Sequence, residues 1–304
     1  MKKKWALFII VFTLLSFIFI FTISQKERPL PSSSEKTPAQ VNSEASDQQD
    51  QHETSEDTNQ DAEPEQDNQN GITDQIKNVV TEAIQIFQKE TNIVAIGDSL
   101  TQGVGDEAGN GGYVGILENR LDSQNVKVSI ENFGKRGNRT DQLYERLNNE
   151  DIVASIEQAD IVLITIGAND IMKIVKDNFM NLTEQPFIEA RGPYRHRLEQ
   201  ILQQIQTIQP DAQVYLLGFF NPFEKYFNDI EALDRIMTRW NNESKNVANQ
   251  FEQTTFIPMK NIFQGRSENV FAEDNFHPNQ RGYRIMAERV ISYLQEDVDA
   301  GSDE

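Results

Sequence analysis

The chain has 304 residues, a formal net charge of −20 and no cysteine. Lack of cysteine excludes disulfides, thiolate metal sites and cysteine lipidation. The acidic balance disfavours nucleic acid and anionic membrane surfaces as partners of the folded part. Over half of the acidic excess lies between Glu35 and Asp74, so the remainder is only moderately acidic.

In chain order, residues 1–4 form a basic start. Trp5 to Ile23 is an unbroken apolar or hydroxyl stretch. At 1.5 Å per residue it matches a hydrocarbon core of ~30 Å. It reads as an uncleaved signal-anchor helix over 5–23. The lysines before it stay cytoplasmic and everything after Lys26 lies outside the cell membrane. The competing reading is a cleaved signal peptide, which would leave a secreted form. That calls for an apolar region of ~7–15 residues and a small-x-small site, and Thr22-Ile23-Ser24 is a poor version of it. Residues 24–71 read as an acidic, disordered linker with too little apolar surface to fold. Ile76, Val79, Val80, Ala83, Ile84 and Phe87 recur at helical spacing, which predicts an amphipathic helix over 72–90 packed on the domain that follows. That domain spans 91–296, ahead of an acidic tail at 297–304.

Within the domain, short apolar runs alternate with helical patterns. The predicted strands are Ile93–Ile96, Val126–Asn132, Ile161–Ile166, Val214–Phe219 and Thr255–Pro258. Helices are expected near Tyr113–Leu121, Asp141–Leu147, Tyr194–Ile208, Glu231–Phe251 and Gln280–Leu294. Strands that are apolar throughout and alternate with helices imply a parallel sheet covered on both faces, a three-layer α/β/α domain.

Four segments at strand ends carry chemistry. They are Gly97-Asp98-Ser99-Leu100, the run from Asn132 to Thr140, Gly167-Ala168-Asn169-Asp170, and Asp274-Asn275-Phe276-His277-Pro278-Asn279. In open α/β sheets the site lies beyond the carboxyl ends of the strands. A serine nucleophile needs a base, and the histidines are His52, His196 and His277. His52 falls in the linker, and His196 lies among Arg195, Arg197 and Glu199 on an expected solvated helix face. His277 remains as base, and Asp274 three residues earlier can orient its ring. Pro278 is expected to start the last helix. Candidate oxyanion donors are the Ser99 N–H, the Gly137 N–H and the Asn169 side-chain amide. Asp98 and Asp170 read as structural residues holding their loops. No metal-ligand spacing stands out.

Taken together, these blocks resemble the GDSL-type, or SGNH, hydrolase superfamily, whose four blocks contribute Ser, Gly, Asn and His. The resemblance covers Ile93 to about Leu294. By motif, Ser99 matches the nucleophile, Gly137 and Asn169 the oxyanion donors, and Asp274 and His277 the acid and base. Gly134 is a second glycine in its block, but Gly137 follows the block's asparagine at the family's usual interval. The resemblance implies a flavodoxin-like sheet of five parallel strands in order 2-1-3-4-5. It also implies ester or thioester hydrolysis without metal or cofactor, nearest to the bacterial lysophospholipase and thioesterase branch.

Apolar residues in Met172–Tyr194 (Phe179, Met180, Leu182, Phe187 and Tyr194) and in Phe219–Phe227 (Phe219, Phe220, Phe223, Tyr226 and Phe227) are candidates for an acyl pocket, with core packing as the competing role. Competing functions are deacetylation of cell-wall polysaccharide and a catalytically silent, anchored domain that binds carbohydrate or lipid. The oligomeric state has no signature in the sequence.

Overall fold

A computed structural model describes residues 91–123, 127–222, 231–266 and 269–301. The predicted anchor (5–23), linker (24–71) and packing helix (72–90) lie outside the described residues. Among the described residues no helix is long and apolar enough to cross a membrane.

Five strands, β1 (Thr91–Gly97), β2 (Val128–Gly134), β3 (Ile161–Thr165), β4 (Gln213–Leu217) and β5 (Thr254–Ile257), form one parallel sheet in order β2-β1-β3-β4-β5. Period-2 alternation divides the core. Val94, Ile96, Val162, Ile164, Val214 and Leu216 face one apolar layer. Ile93, Ala95, Ile161, Leu163, Tyr215 and Leu217 face the other. Each Val, Ile or Leu side chain among them, fully buried, contributes roughly 1.5–3 kcal/mol. The first layer is completed by α3 (Thr140–Arg146), α4 (Glu150–Glu157), α6 (Gln185–Ile208) and α7 (Glu231–Ala248). The second is completed by α2 (Gly112–Asp122) and α8 (Gln280–Gly301). Two further helices, α1 (Ser99–Gln102) and α5 (Ala168–Asp177), start directly at strand ends.

Four departures from expectation have physical causes. β2 is an edge strand, so Ser129, Glu131 and Asn132 are exposed and the strand is not apolar throughout. α6 begins nine residues before the predicted start at Tyr194 and runs through Gly192 and Pro193. An internal proline costs about 3 kcal/mol, but Phe187 and Tyr194 on either side bury in the same layer and carry the helix across it. Pro278 does not open the last helix. It pairs with Phe271 in an antiparallel bridge, and the Asn279 side chain accepts the Gly282 N–H at 3.1 Å at the start of α8. α8 itself continues to Gly301, into the stretch read as an acidic tail.

Candidate active site

The strand ends set the site's plan. Gly97 pairs with Gly134 on one side and with Thr165 on the other, so the turns after β1, β2 and β3 lie side by side. Beyond β1, Asp98 caps α1 by accepting the Leu100 N–H at 3.0 Å. The Thr165 hydroxyl donates to the same carboxylate at 2.9 Å, and the Asp98 N–H donates to the Thr165 carbonyl at 3.0 Å. These bonds fix Ser99 as the first residue of α1. Burial pushes the Asp98 carboxyl up to about 6.

His277 meets Ser99 from the far end of the chain. Its Nε2 lies 2.9 Å from Ser99 Oγ and its Nδ1 lies 2.5 Å from Asp274 Oδ2. Ser99 is 5% and His277 6% exposed, so the pair is shielded from bulk water. The Asp-x-x-His spacing works because the chain folds back on itself. Asp274 Oδ1 accepts the Phe276 and His277 N–H groups at 3.0 and 2.9 Å, which leaves Oδ2 for the ring. Asn275 takes a φ of 53°, a left-handed conformation that asparagine tolerates. Burial pushes the Asp274 carboxyl up, but the bonds from His277 and Phe276 outweigh it and hold the group below its ordinary value.

The His277 loop also leans on the turn that follows α1. Gly105 has a φ of 95°, and a Cβ there would lie 2.8 Å from His277 Cβ and 2.6 Å from the Pro278 carbonyl oxygen. Only glycine allows that approach.

The second and third blocks are joined rather than merely adjacent. Asn169 Nδ2 donates to the Asn138 carbonyl at 3.0 Å. Gly137, next to Asn138, has a φ of 78°, and a Cβ there would meet nothing within 4 Å, so its backbone borders open space. Asn132 ties β2 to α1 by donating to the Thr101 carbonyl at 2.8 Å. Asp170 accepts from the Thr140 N–H at 3.0 Å, the Thr140 hydroxyl at 2.6 Å and Arg197 at 3.1 Å. Asp98 and Asp170 therefore hold loops, as expected from the sequence.

Other expectations divide. His196 is exposed, in keeping with a solvated face. Arg197 beside it is partly buried and bonded: its Nε donates to the Thr140 hydroxyl at 2.7 Å, and its guanidinium pairs with buried Asp170. Of the acyl-pocket candidates, Phe187, Tyr194, Phe219 and Phe220 are core residues. Tyr194 and Phe219 pack beneath Gly167, at the end of β3. Met180 and Leu182 remain exposed, together with Ile188. Phe223, Tyr226 and Phe227 lie outside the described residues.

A doubly wound α/β domain with a serine, a histidine and an aspartate aligned at its carboxyl edge defines a serine hydrolase class. Residues 95–285 match the GDSL-like Lipase/Acylhydrolase family, and the chain belongs to that family as a serine ester hydrolase. It is similar to "Uncharacterized protein YpmR" of Bacillus subtilis, 35% identical over 209 residues, spanning 67% of this chain and 82% of that protein. Similarity also extends to the spore germination lipase LipC of Bacillus licheniformis, 29% identical over 201 residues, 64% of this chain and 92% of that protein. Among solved structures, the lipase Lip_vut3 from a goat rumen metagenome superposes with a TM-score of 0.60 at 28% identity. That match covers 66% of this chain and 96% of the lipase chain.

Proposed function

We propose that this hydrolase cleaves carboxylic esters of acyl or lipid-like substrates through an acyl-enzyme on Ser99. The observation that carries the reading is the unbroken line from Ser99 Oγ through the His277 ring to Asp274 Oδ2. His277 Nε2 takes the Ser99 proton as Oγ attacks the ester carbonyl, and Asp274 stabilises the imidazolium that forms. The tetrahedral oxyanion is met by the Ser99 N–H, the Gly137 N–H and the Asn169 amide. As the first residue of a helix, Ser99 has no intrahelical acceptor for its N–H. His277 then protonates the leaving alcohol. Water, deprotonated by the same histidine, releases the acid and restores Ser99.

The lipase name of the Bacillus licheniformis relative supports an acyl substrate. So do Met180 and Leu182, exposed on the elbow between α5 and α6, and Ile188, exposed in the first turn of α6. The burial of Phe187, Tyr194, Phe219 and Phe220 favours the second reading, removal of short acetyl groups from cell-wall polysaccharide, because it takes four apolar side chains away from any acyl pocket. The basic start and the apolar stretch at 5–23 support placing the domain outside the cell membrane on a signal anchor.

The test uses the soluble domain with esters of two to twelve acyl carbons. Ser99→Ala is expected to lower turnover on the order of 10⁶-fold, as in comparable triads, and to abolish labelling by a fluorophosphonate. Undiminished turnover in that variant sinks the nucleophile assignment. A preference for acetyl over longer esters selects the polysaccharide reading.

A further inference from the structure

Arg146 closes α3, far from Ser99 in sequence, yet its guanidinium reaches the carboxyl edge of the sheet. Its Nη1 donates to Asn138 Oδ1 at 2.6 Å and its Nη2 to the Phe133 carbonyl at 2.7 Å. Nη1 also lies 3.5 Å from the carbonyl of Gly97, two residues before Ser99. One side chain thus spans the ends of β1 and β2 and the turn that carries Gly137.

The group it grips hardest is the hinge of the proposed oxyanion hole. Asn138 is buried. Its side chain is held by Arg146, its own N–H donates to the Lys135 carbonyl at 3.1 Å, and its carbonyl receives the Asn169 amide. Rotation of the Asn138 peptide would move the Gly137 backbone on one side and release the Asn169 side chain on the other. Asn138 therefore sets two proposed donors at once, and Arg146 sets Asn138.

The charge is a second, separate observation. Arg197, which braces the neighbouring turn, is paired with the carboxylate of Asp170. Arg146 is half-buried, and among the described residues its acceptors are two carbonyls and an amide, with no carboxylate in the set. Burial holds its pKa below the ordinary arginine value. A half-buried cation without a counter-charge is a costly way to hold a turn. Positive charge left beside a site where negative charge develops is favourable in the transition state and idle in the ground state.

We propose that Arg146 is a positioning residue for the oxyanion hole, acting through Asn138 on the Gly137 N–H and the Asn169 amide. This rests on Ser99 being the nucleophile. Arg146→Met and Asn138→Ala are compared with the wild type in kcat, KM, melting temperature and affinity for an aliphatic trifluoromethyl ketone, whose serine adduct carries the oxyanion. Each variant is expected to lose 10- to 100-fold in kcat with KM changed less than threefold, and to lose ketone affinity by a similar factor. The double variant should lose no more than the worse single one, because both act on one hinge. Arg146→Lys, which keeps the charge but cannot span both acceptors, should recover part of the loss.

Loss of melting temperature with kcat and ketone affinity intact would overturn the proposal. Multiplicative losses in the double variant would do the same. If Arg146→Met does not fold, Asn138→Ala and Arg146→Lys carry the same readouts. Failure of the underlying reading looks different: Ser99→Ala would then keep its turnover whatever happens at Arg146.

Discussion

The two banks of the site are built by opposite means. The serine bank, at the ends of β1, β2 and β3, is cross-braced over long sequence distances. Asp98 bonds Thr165, Asp170 bonds Thr140 and Arg197, Asn132 bonds Thr101, and Asn169 bonds Asn138. The acid–base bank is a short loop that organises itself. Among the described residues Asp274 bonds residues two and three positions on, and the Ala272 N–H donates to the His277 carbonyl at 2.9 Å. Precision in the first bank is a property of the whole fold, whereas in the second it comes from local backbone geometry. Damage to the loop should therefore cost catalysis without stability, and damage to the braces should cost stability first.

The sharpest contrast comes from Asp274→Asn. Its side-chain oxygen can still accept the Phe276 and His277 N–H groups, so the turn survives while the ring loses its orienting charge. Turnover is expected to fall on the order of 10⁴-fold with little change in melting temperature; a large loss of stability would erase the distinction between the banks. Next, Asp170→Ala strands the Thr140 N–H and Arg197. Breaking a buried pair costs 3–5 kcal/mol, and Arg197 is partly exposed, so a loss of about 3 kcal/mol is expected by denaturant titration. Activity of the molecules that remain folded should fall far less than in Asp274→Asn.

A pH series probes the same bank from inside. The Asp98 carboxyl sits at about 6 when folded, against 3.8 for the unperturbed group. Between those values the native state holds the proton more tightly than the unfolded chain. Stability from this group is therefore complete below about pH 4 and is lost as pH rises through about 6. Relative to Asp98→Asn, the wild type should lose up to roughly 3 kcal/mol over that window, at ~1.4 kcal/mol per pH unit of displacement. Parallel melting-temperature curves for the two proteins would contradict this. The smallest effect is expected for Gly137→Ala, where the left-handed backbone costs about 1–2 kcal/mol and the added methyl meets no neighbour. A loss of several kcal/mol would mean that this turn is packed rather than open.

Legibility in the sequence follows the same division. Asp274 and His277 could be read because their relation is local and few histidines were available. Ser99 could be read because β1 ends so abruptly at Gly97. The strand order came with the family resemblance, since no local signal encodes which strands are neighbours. Arg146 and Arg197 could not be read as braces. Their partners lie 8, 13, 27, 49 and 57 residues away, and a surface arginine and a bracing arginine look alike in a helical pattern. The aromatic residues after β3 and β4 misled for a related reason. Strand-end position alone does not say whether a ring points into a cleft or, like Phe219 and Tyr194, beneath the neighbouring turn.

Gly105 gives the contact between the banks an unexpected gauge. Where His277 rests on that residue, the Gly105 side of the gap is bare main chain, and the Cβ atoms of His277 and Ala272 and the Pro278 carbonyl close directly against it. A single methyl group inserted there would act as a wedge, driving His277 away from Ser99 while every reacting atom stayed in place chemically. A residue with no functional group thus limits how closely the histidine loop can approach the turn that follows Ser99.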